Sequence, residues 1–179
     1  MSKVVVLGGC GGIGNVAVKA LAALEAFDEI VVADVRADEA AKLAQGFGKP
    51  GITSTAVDAT SPDSLASAMK GATVVLNCVG PFYRFGPPIL EAAIRAKVDY
   101  VDICDDLAPT RVMLEMDAAA KEAGISALIG MGNSPGLANV FVKLVKDLFL
   151  DQVEEVDIMH IHGGEPEEGA AVVKHCAAA

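Results

Sequence analysis

Three glycines near the start of the chain have a spacing that can hold a pyrophosphate. Gly9, Gly11 and Gly14 fit the pattern G-x-G-x-x-G, in which the first glycine permits a tight turn and the second lets backbone N–H groups approach the phosphates. The third lets a helix pack closely on a strand, and the N-terminus of that helix adds partial positive charge. The pattern predicts a dinucleotide site formed by the whole loop, namely Gly9, Cys10, Gly11, Gly12, Ile13 and Gly14.

An acidic residue follows the second predicted strand. Asp34 lies twenty residues beyond Gly14, where a carboxylate can accept hydrogen bonds from both hydroxyls of an adenosine ribose and repel a 2′-phosphate. This favours NAD as the cofactor. Arg36 leaves NADP open, because a guanidinium could pair with the 2′-phosphate if Asp34 swung aside. The alternative for Asp34 is a strand-end carboxylate or helix cap. The predicted adenosine end comprises Asp34, Val35, Arg36, Asp58 and Ala59.

The residues after the fourth predicted strand lie where the nicotinamide end of such a cofactor should pass. These residues are Asn77, Cys78, Val79 and Gly80. For Asn77, a purely structural role in satisfying backbone groups at the strand end stays open. We expect Cys78 to pack in the core, because a buried thiol is unreactive unless a cation lowers its pKa.

Strands and helices alternate along the chain and must position these residues. Apolar runs at 4–7, 30–33, 52–57, 72–78, 100–104 and 126–130 predict six strands. Helices are predicted at 15–27, 38–47, 62–70, 87–97, 110–123 and 137–150. This alternation predicts an α/β fold with a doubly wound parallel sheet of the Rossmann type, in the order 3-2-1-4-5-6. The ligand is expected at the carboxyl edge, where strands 1 and 4 diverge.

Composition excludes several function classes. The 179 residues have a formal net charge of −10, which disfavours nucleic acid and anionic membranes as partners. No apolar stretch reaches the length of a membrane span, and the start of the chain has no leader pattern, so we expect a cytoplasmic protein. The four cysteines form no C-x-x-C pair, which favours reduced thiols over zinc. His160 and His162 share a strand face but have no evident third ligand, so no metal is predicted.

A second glycine spacing also has to be considered. Gly8, Gly12 and Gly14 fit the G-x-x-x-G-x-G pattern of short-chain dehydrogenases. That chemistry needs Tyr-x-x-x-Lys, in which the lysine lowers the pKa of the tyrosine. Neither Tyr83 nor Tyr100 has a lysine four residues later, so this interpretation is disfavoured.

Four motifs in order resemble the N-terminal half of the saccharopine dehydrogenase-like oxidoreductases. They are the glycine loop, the run N-C-V-G-P-F at 77–82, the run Y-V-D at 100–102 with the acidic pair that follows, and the run G-N-S-P-G-L-A-N at 132–139. The resemblance implies that the loops at Pro81 and Pro135 form walls of the nicotinamide pocket. It also implies a small amine or amino-acid substrate, including polyamines, and an NAD(P)-dependent enzyme that acts on a C–N bond and forms a homodimer.

On this interpretation, an acid or base near the nicotinamide handles the amine proton. The catalytic candidates are Tyr83, Asp102 and Asp105, each with structural hydrogen bonding as its alternative. The alternative function is a non-catalytic nicotinamide-binding module that senses redox state or docks a partner.

The relatives continue into a further α/β domain, so the resemblance also divides the chain. Residues 1–150 are expected to form the cofactor domain and 151–179 the opening strand of a substrate or dimerisation domain, carried by Val153, Val156, Ile158 and Ile161. The chain by itself is therefore expected to bind cofactor without catalysing the reaction.

Overall fold

A parallel six-stranded sheet forms the centre of the protein. The computed structural model describes residues 1–159. Its strands lie in the order β3-β2-β1-β4-β5-β6, and every pairing is parallel, as the alternation predicts. The strands are β1 Lys3–Leu7, β2 Glu29–Asp34, β3 Ile52–Ala56, β4 Val74–Asn77, β5 Asp99–Asp102 and β6 Ala127–Leu128.

Helices cover both faces of this sheet. They are α1 Gly12–Leu24, α2 Ala37–Gly46, α3 Pro62–Met69, α4 Phe82–Ala96, α5 Leu107–Leu114, α6 Asp117–Ala123 and α7 Ala138–Phe149. An irregular helical turn, Asn133–Leu137, precedes α7 and is interrupted at Ser134, whose backbone is extended. Among the described residues, no helix combines the length and apolarity needed to cross a membrane.

Alternating side chains of β1 build two separate cores. Val4 and Val6 belong to the cluster under α1 and α2, together with Val18. Val5 and Leu7 belong to the larger cluster on the opposite face. Because successive side chains of a strand point to opposite faces, a continuous valine run is the pattern of a strand buried on both sides. The fold is thus a doubly wound sheet whose carboxyl edge carries the loops after β1, β2, β4, β5 and β6.

Helix α4 differs from its prediction in a way that affects the site. It begins at Phe82 rather than Pro87, so both Pro87 and Pro88 lie inside it. The first turn forms because the backbone N–H groups of residues 84 and 85 donate to Pro81 O, at 3.1 and 3.2 Å. Burial of Phe82 offsets the hydrogen bonds that the prolines remove. The prediction was wrong because proline usually marks the first turn of a helix.

Two further expectations are corrected by the structure. The predicted helix 110–123 is two helices, α5 and α6, which are separated at Met116. The N–H of Met116 donates to Met113 O, whereas a continuous α-helix would have it donate to Val112 O. The strand expected at 153–161 is absent over residues 153–159, because no neighbouring strand among the described residues pairs with its backbone. Ile161 and the remaining C-terminal residues lie outside the described part.

Candidate dinucleotide-binding site

The glycine loop is tied to the end of the neighbouring strand β2. The N–H groups of Gly8 and Gly9 both donate to Ala33 O, at 2.8 and 3.2 Å. Gly11 N donates to Gly8 O at 2.9 Å, which closes the turn into α1. These bonds hold the loop across the carboxyl ends of β1 and β2, where the sequence predicts a pyrophosphate site.

Each glycine of the motif has a distinct steric role. A Cβ added to Gly14 would lie 2.1 Å from Gly8 O, and one added to Gly9 would lie 2.8 Å from Cγ1 of Val32. The close packing of α1 on the loop therefore requires Gly14, and the close packing of the loop on β2 requires Gly9. At Gly11 the nearest atom to an added Cβ is Gly8 O at 3.2 Å, and the backbone is extended with φ of −70°. The absence of a side chain there leaves the loop surface open instead of relieving a severe clash.

The N-terminus of α1 is suited to an anion. No capping side chain and no acidic residue occupies its first turn, which lies wholly within the described part. Exposed amides and a helix dipole at such a terminus bind phosphate. Asn15, in the same turn, has a buried Oδ1 that accepts no hydrogen bond from the described residues.

Asp34 is buried and already held by three hydrogen bonds. Its Oδ2 accepts from Cys10 N at 3.0 Å, and its Oδ1 accepts from the backbone N and the Nε of Arg36 at 3.0 and 3.1 Å. Burial favours a higher pKa for Asp34, but the hydrogen bonds from Arg36 and Cys10 hold that pKa below its ordinary value. The carboxylate is therefore charged at neutral pH. Arg36 also contacts Glu39, at 2.8 Å.

A cavity of about 350 Å³ brings most of the predicted cofactor residues together. Its lining includes Gly11, Asp34, Val35, Arg36, Asp58, Ala59, Cys78, Val79 and Gly80. Four lining residues are not among the predicted cofactor residues, namely Gly8, Val57, Thr60 and Phe85. The spacing of Asp58 and Thr60 is a signal for Thr60 in the sequence, because an aspartate side chain can accept hydrogen bonds from the residue two positions later. In the structure, the Thr60 amide and hydroxyl both donate to Asp58 Oδ1 in a local turn. Phe85 had none, since it enters the cavity through the unexpected start of α4.

A buried polar chain lies beside this cavity. Asn77 Nδ2 donates to the Tyr100 hydroxyl at 2.9 Å, and that hydroxyl donates to Asp102 Oδ2 at 2.8 Å. Burial and the charge of Asp102 raise the pKa of Tyr100 well above its ordinary value, so it stays protonated. All three side chains are fully buried.

The two proline loops implied by the resemblance lie at the same edge of the sheet. The Gly80–Pro81 and Ser134–Pro135 peptide bonds are both cis. Pro135 packs on Gly130, because a Cβ added to Gly130 would lie 2.9 Å from Cγ of Pro135. Neither proline is among the residues that line the cavity.

The three catalytic candidates differ in their environments. Tyr83 is exposed in the first turn of α4, and Asp105 is exposed after β5. Asp102 is fully buried, and its Oδ1 accepts hydrogen bonds from Cys104 N and Gly130 N at 3.0 and 2.7 Å. Tyr83 and Asp105 stay predictions, whereas the environment of Asp102 suits a positioning role. His160 and His162 lie outside the described residues.

The thiols near the cavity are held in their protonated form. Burial, with the nearby charge of Asp34, raises the pKa of Cys10 to about 11. Burial likewise raises the pKa of Cys78 to about 12, assisted by Asp102, and that of the buried Cys104 above its ordinary value. These three cysteines are unpaired.

We expect Cys10 to react with iodoacetamide at pH 8 about 20-fold more slowly than an unhindered thiol of ordinary pKa. A smaller thiolate fraction slows the reaction and a more nucleophilic thiolate partly offsets this. Peptide-resolved mass spectrometry, with free cysteine as the reference, measures the rate. A rate equal to that of free cysteine would show that the thiol is not protected in this way.

The chain is similar to known proteins over most of its length. A family model described as the saccharopine dehydrogenase NADP binding domain matches residues 4–128. The carboxyaminopropylagmatine dehydrogenase of a Synechocystis species is 28% identical over 172 residues, covering 92% of this chain and 42% of the relative. The carboxynorspermidine synthase of Vibrio alginolyticus is 29% identical over 179 residues, covering 88% of this chain and 42% of the relative.

A solved structure shares the fold. Apo histidine-tagged saccharopine dehydrogenase (L-Glu forming) from Saccharomyces cerevisiae superimposes with a TM-score of 0.69 at 24% identity, over 82% of this chain and 31% of that one. The chain thus spans 42% of the length of the two curated relatives.

Proposed function

The chain belongs to the saccharopine dehydrogenase NADP binding domain family, and from this membership we propose that it binds a nicotinamide adenine dinucleotide at the carboxyl edge of its sheet. The observation that carries the proposal is the glycine loop, whose geometry leaves an uncapped helix N-terminus facing an open loop surface at Gly11. The adenosine end is assigned to the loops after β2 and β3. The nicotinamide end is assigned to Cys78, Val79 and Gly80.

We infer that the function served is hydride transfer at the C–N bond of an amino acid or polyamine-type substrate. The bound nicotinamide supplies the hydride donor or acceptor. The first turn of α1 would hold the pyrophosphate, Asp34 would orient the adenosine ribose, and the loop after β4 would form one wall for the nicotinamide ring. Tyr83 and Asp105 are proposed to handle the amine proton when substrate is present.

We propose that NAD(H) is preferred, although the family description names NADP. Asp34 cannot swing aside without leaving the amides of Cys10 and Arg36 without their acceptor. Its fixed charge therefore stays where it repels a 2′-phosphate. NADH is expected to bind more tightly than NADPH, and Asp34→Ala is expected to reduce this difference in affinity. Calorimetric titration with both cofactors measures the two affinities.

Arg36→Ala is the matched control for the cofactor preference. This variant removes the guanidinium from the described cavity lining but keeps the Asp34 carboxylate. It should therefore weaken the binding of NADPH more than the binding of NADH. If the wild-type chain binds NADPH at least tenfold more tightly, a difference of about 1.4 kcal/mol, then Arg36 reads the 2′-phosphate and the NAD preference is wrong.

A second candidate function is a binding module without catalysis. It is favoured by the cavity lining near the proposed nicotinamide end. Among the described residues that line this end, Cys78 is the one titratable side chain, and its thiol is protonated. A turnover assay with lysine-derived and polyamine amines separates the two functions. Amine-dependent NADH formation by this chain would exclude the binding-only function.

We further propose that residues 1–150 form the cofactor domain, that 151–179 begin a second unit, and that the protein is a cytoplasmic homodimer. The location is supported by three unpaired cysteines. Exposed Val153, Val156 and Ile158 favour self-association through the C-terminal residues.

Light scattering is expected to show a dimer for the 179-residue chain and a monomer for a version ending at Asp151. The reason is that the shorter version lacks Val153, Val156 and Ile158, through which the self-association is proposed. A dimer that persists after the shortening would place the contact elsewhere.

A further inference from the structure

The buried polar chain of Asn77, Tyr100 and Asp102 is the feature that the proposed function does not use. Asn77 and Asp102 end the adjacent strands β4 and β5, and Tyr100 lies two residues before Asp102 on β5. Each of the three is 0% exposed. A buried hydrogen-bonded network is costly to break, because a member that loses its partner has no water to replace it. The three side chains are therefore held in one arrangement.

The two ends of this hydrogen-bonded network hold different loops. Asn77 Oδ1 accepts from Val79 N at 2.9 Å, which fixes the loop after β4. Asp102 Oδ1 accepts from Cys104 N after β5 and from Gly130 N after β6. The backbone O of Asp102 also accepts from Met131 N at 2.7 Å. Three loops of the second half of the sheet are thus tied to one set of side chains.

The network also connects the cavity with the second proline loop. Val79 and Gly80 line the cavity. At the other end, Gly130 has a φ of +72°, and Pro135 packs directly on it. A displacement of Tyr100 or Asp102 would therefore move the cavity wall relative to Pro135. None of the three network side chains is itself among the residues that line the cavity.

The adenosine end depends on different elements. Asp34 ends β2, and Arg36 and Asp58 lie in the loops after β2 and β3. Their hydrogen bonds are made with the glycine loop and within local turns. In a doubly wound sheet the two halves of a dinucleotide lie on opposite sides of the crevice between β1 and β4. A change in the network should consequently affect one half of the ligand alone.

We propose that Asn77, Tyr100 and Asp102 are positioning residues that fix the Val79–Gly80 wall against the loop after β6, and so determine how tightly the nicotinamide half of the cofactor binds. This inference rests on the proposed cofactor site. It assigns Asp102 a role in placing loops and none in transferring a proton to the ligand.

The test compares Tyr100→Phe with the wild type, using ADP-ribose and NADH as calorimetric ligands. ADP-ribose contains the adenosine and pyrophosphate but lacks nicotinamide. The variant keeps the aromatic ring in the core and removes only the hydroxyl that joins Asn77 to Asp102. We expect the affinity for NADH to fall about tenfold and the affinity for ADP-ribose to stay unchanged.

Val98→Ala is the matched control for general destabilisation. Val98 is 4% exposed and immediately precedes β5, two residues before Tyr100, and its side chain has no polar atom that could join the hydrogen-bonded network. It should lower the melting temperature and leave both affinities as they are. Equal losses of affinity for the two ligands in Tyr100→Phe, or no loss for either, would overturn the positioning role.

A measurement on the ligand-free protein separates this inference from the proposed function. In Tyr100→Phe, the amide NMR resonances of both Val79 and Gly130 should shift, although these residues lie on different loops. If the wild type binds neither ligand, the proposed function fails while the amide shifts still report the network. If neither resonance moves, the network does not couple the loops and the inference fails.

Discussion

Gly11→Val is expected to abolish dinucleotide binding while the protein stays folded. The backbone at Gly11 is extended, a conformation open to any residue, and an added Cβ would approach only Gly8 O, at 3.2 Å. The side chain would instead fill the space through which the loop approaches the pyrophosphate. We expect at least a 100-fold loss of affinity, about 2.7 kcal/mol, by calorimetry, with an unchanged circular dichroism spectrum.

Gly14→Ala is the contrasting variant in the same loop. Its Cβ would lie 2.1 Å from Gly8 O and 2.8 Å from Gly8 C, both backbone atoms that cannot rotate away. This variant should lose stability as well as binding. Normal affinity in a folded Gly11→Val protein would mean that the dinucleotide binds elsewhere.

Asp102→Ala is expected to lower the free energy of unfolding by about 3 kcal/mol, the second large effect. The substitution leaves the buried amides of Cys104 and Gly130, and the hydroxyl of Tyr100, without their acceptor. Each unsatisfied buried group costs about 1–3 kcal/mol, and relief of the buried carboxylate offsets part of the sum. Urea unfolding measures the change.

Asp99→Ala is the matched control on the same strand. Asp99 Oδ1 also accepts a backbone hydrogen bond, from Ser126 N at 2.8 Å, but at the exposed amino end of β5. Water can replace that bond, so we expect a loss below about 1 kcal/mol. Equal losses for the two variants would show that the burial of Asp102 does not matter to the fold.

The limits of prediction from sequence appear most clearly in α4 and at Asp102. The sequence predicts the first turn of a helix at Pro87, whereas the helix begins at Phe82 and brings Phe85 into the cavity lining. Asp102 lies inside the predicted strand 100–104, whereas β5 ends at Asp102 and the buried carboxylate is held by Tyr100, Cys104 and Gly130. Those contacts span up to 28 residues along the chain, beyond the range of any local pattern.

The sequence by itself determined the strand order, the glycine loop and the position of Asp34. These features follow from short-range regularities: apolar runs, glycine spacing and polar residues at strand ends. Only the tertiary structure decided which polar side chains face the cavity and which hold the loops. That distinction depends on burial and on hydrogen bonds between separate strands, because a carboxylate such as Asp34 or Asp102 has the same chemistry in the sequence whether it meets a ligand or a buried amide.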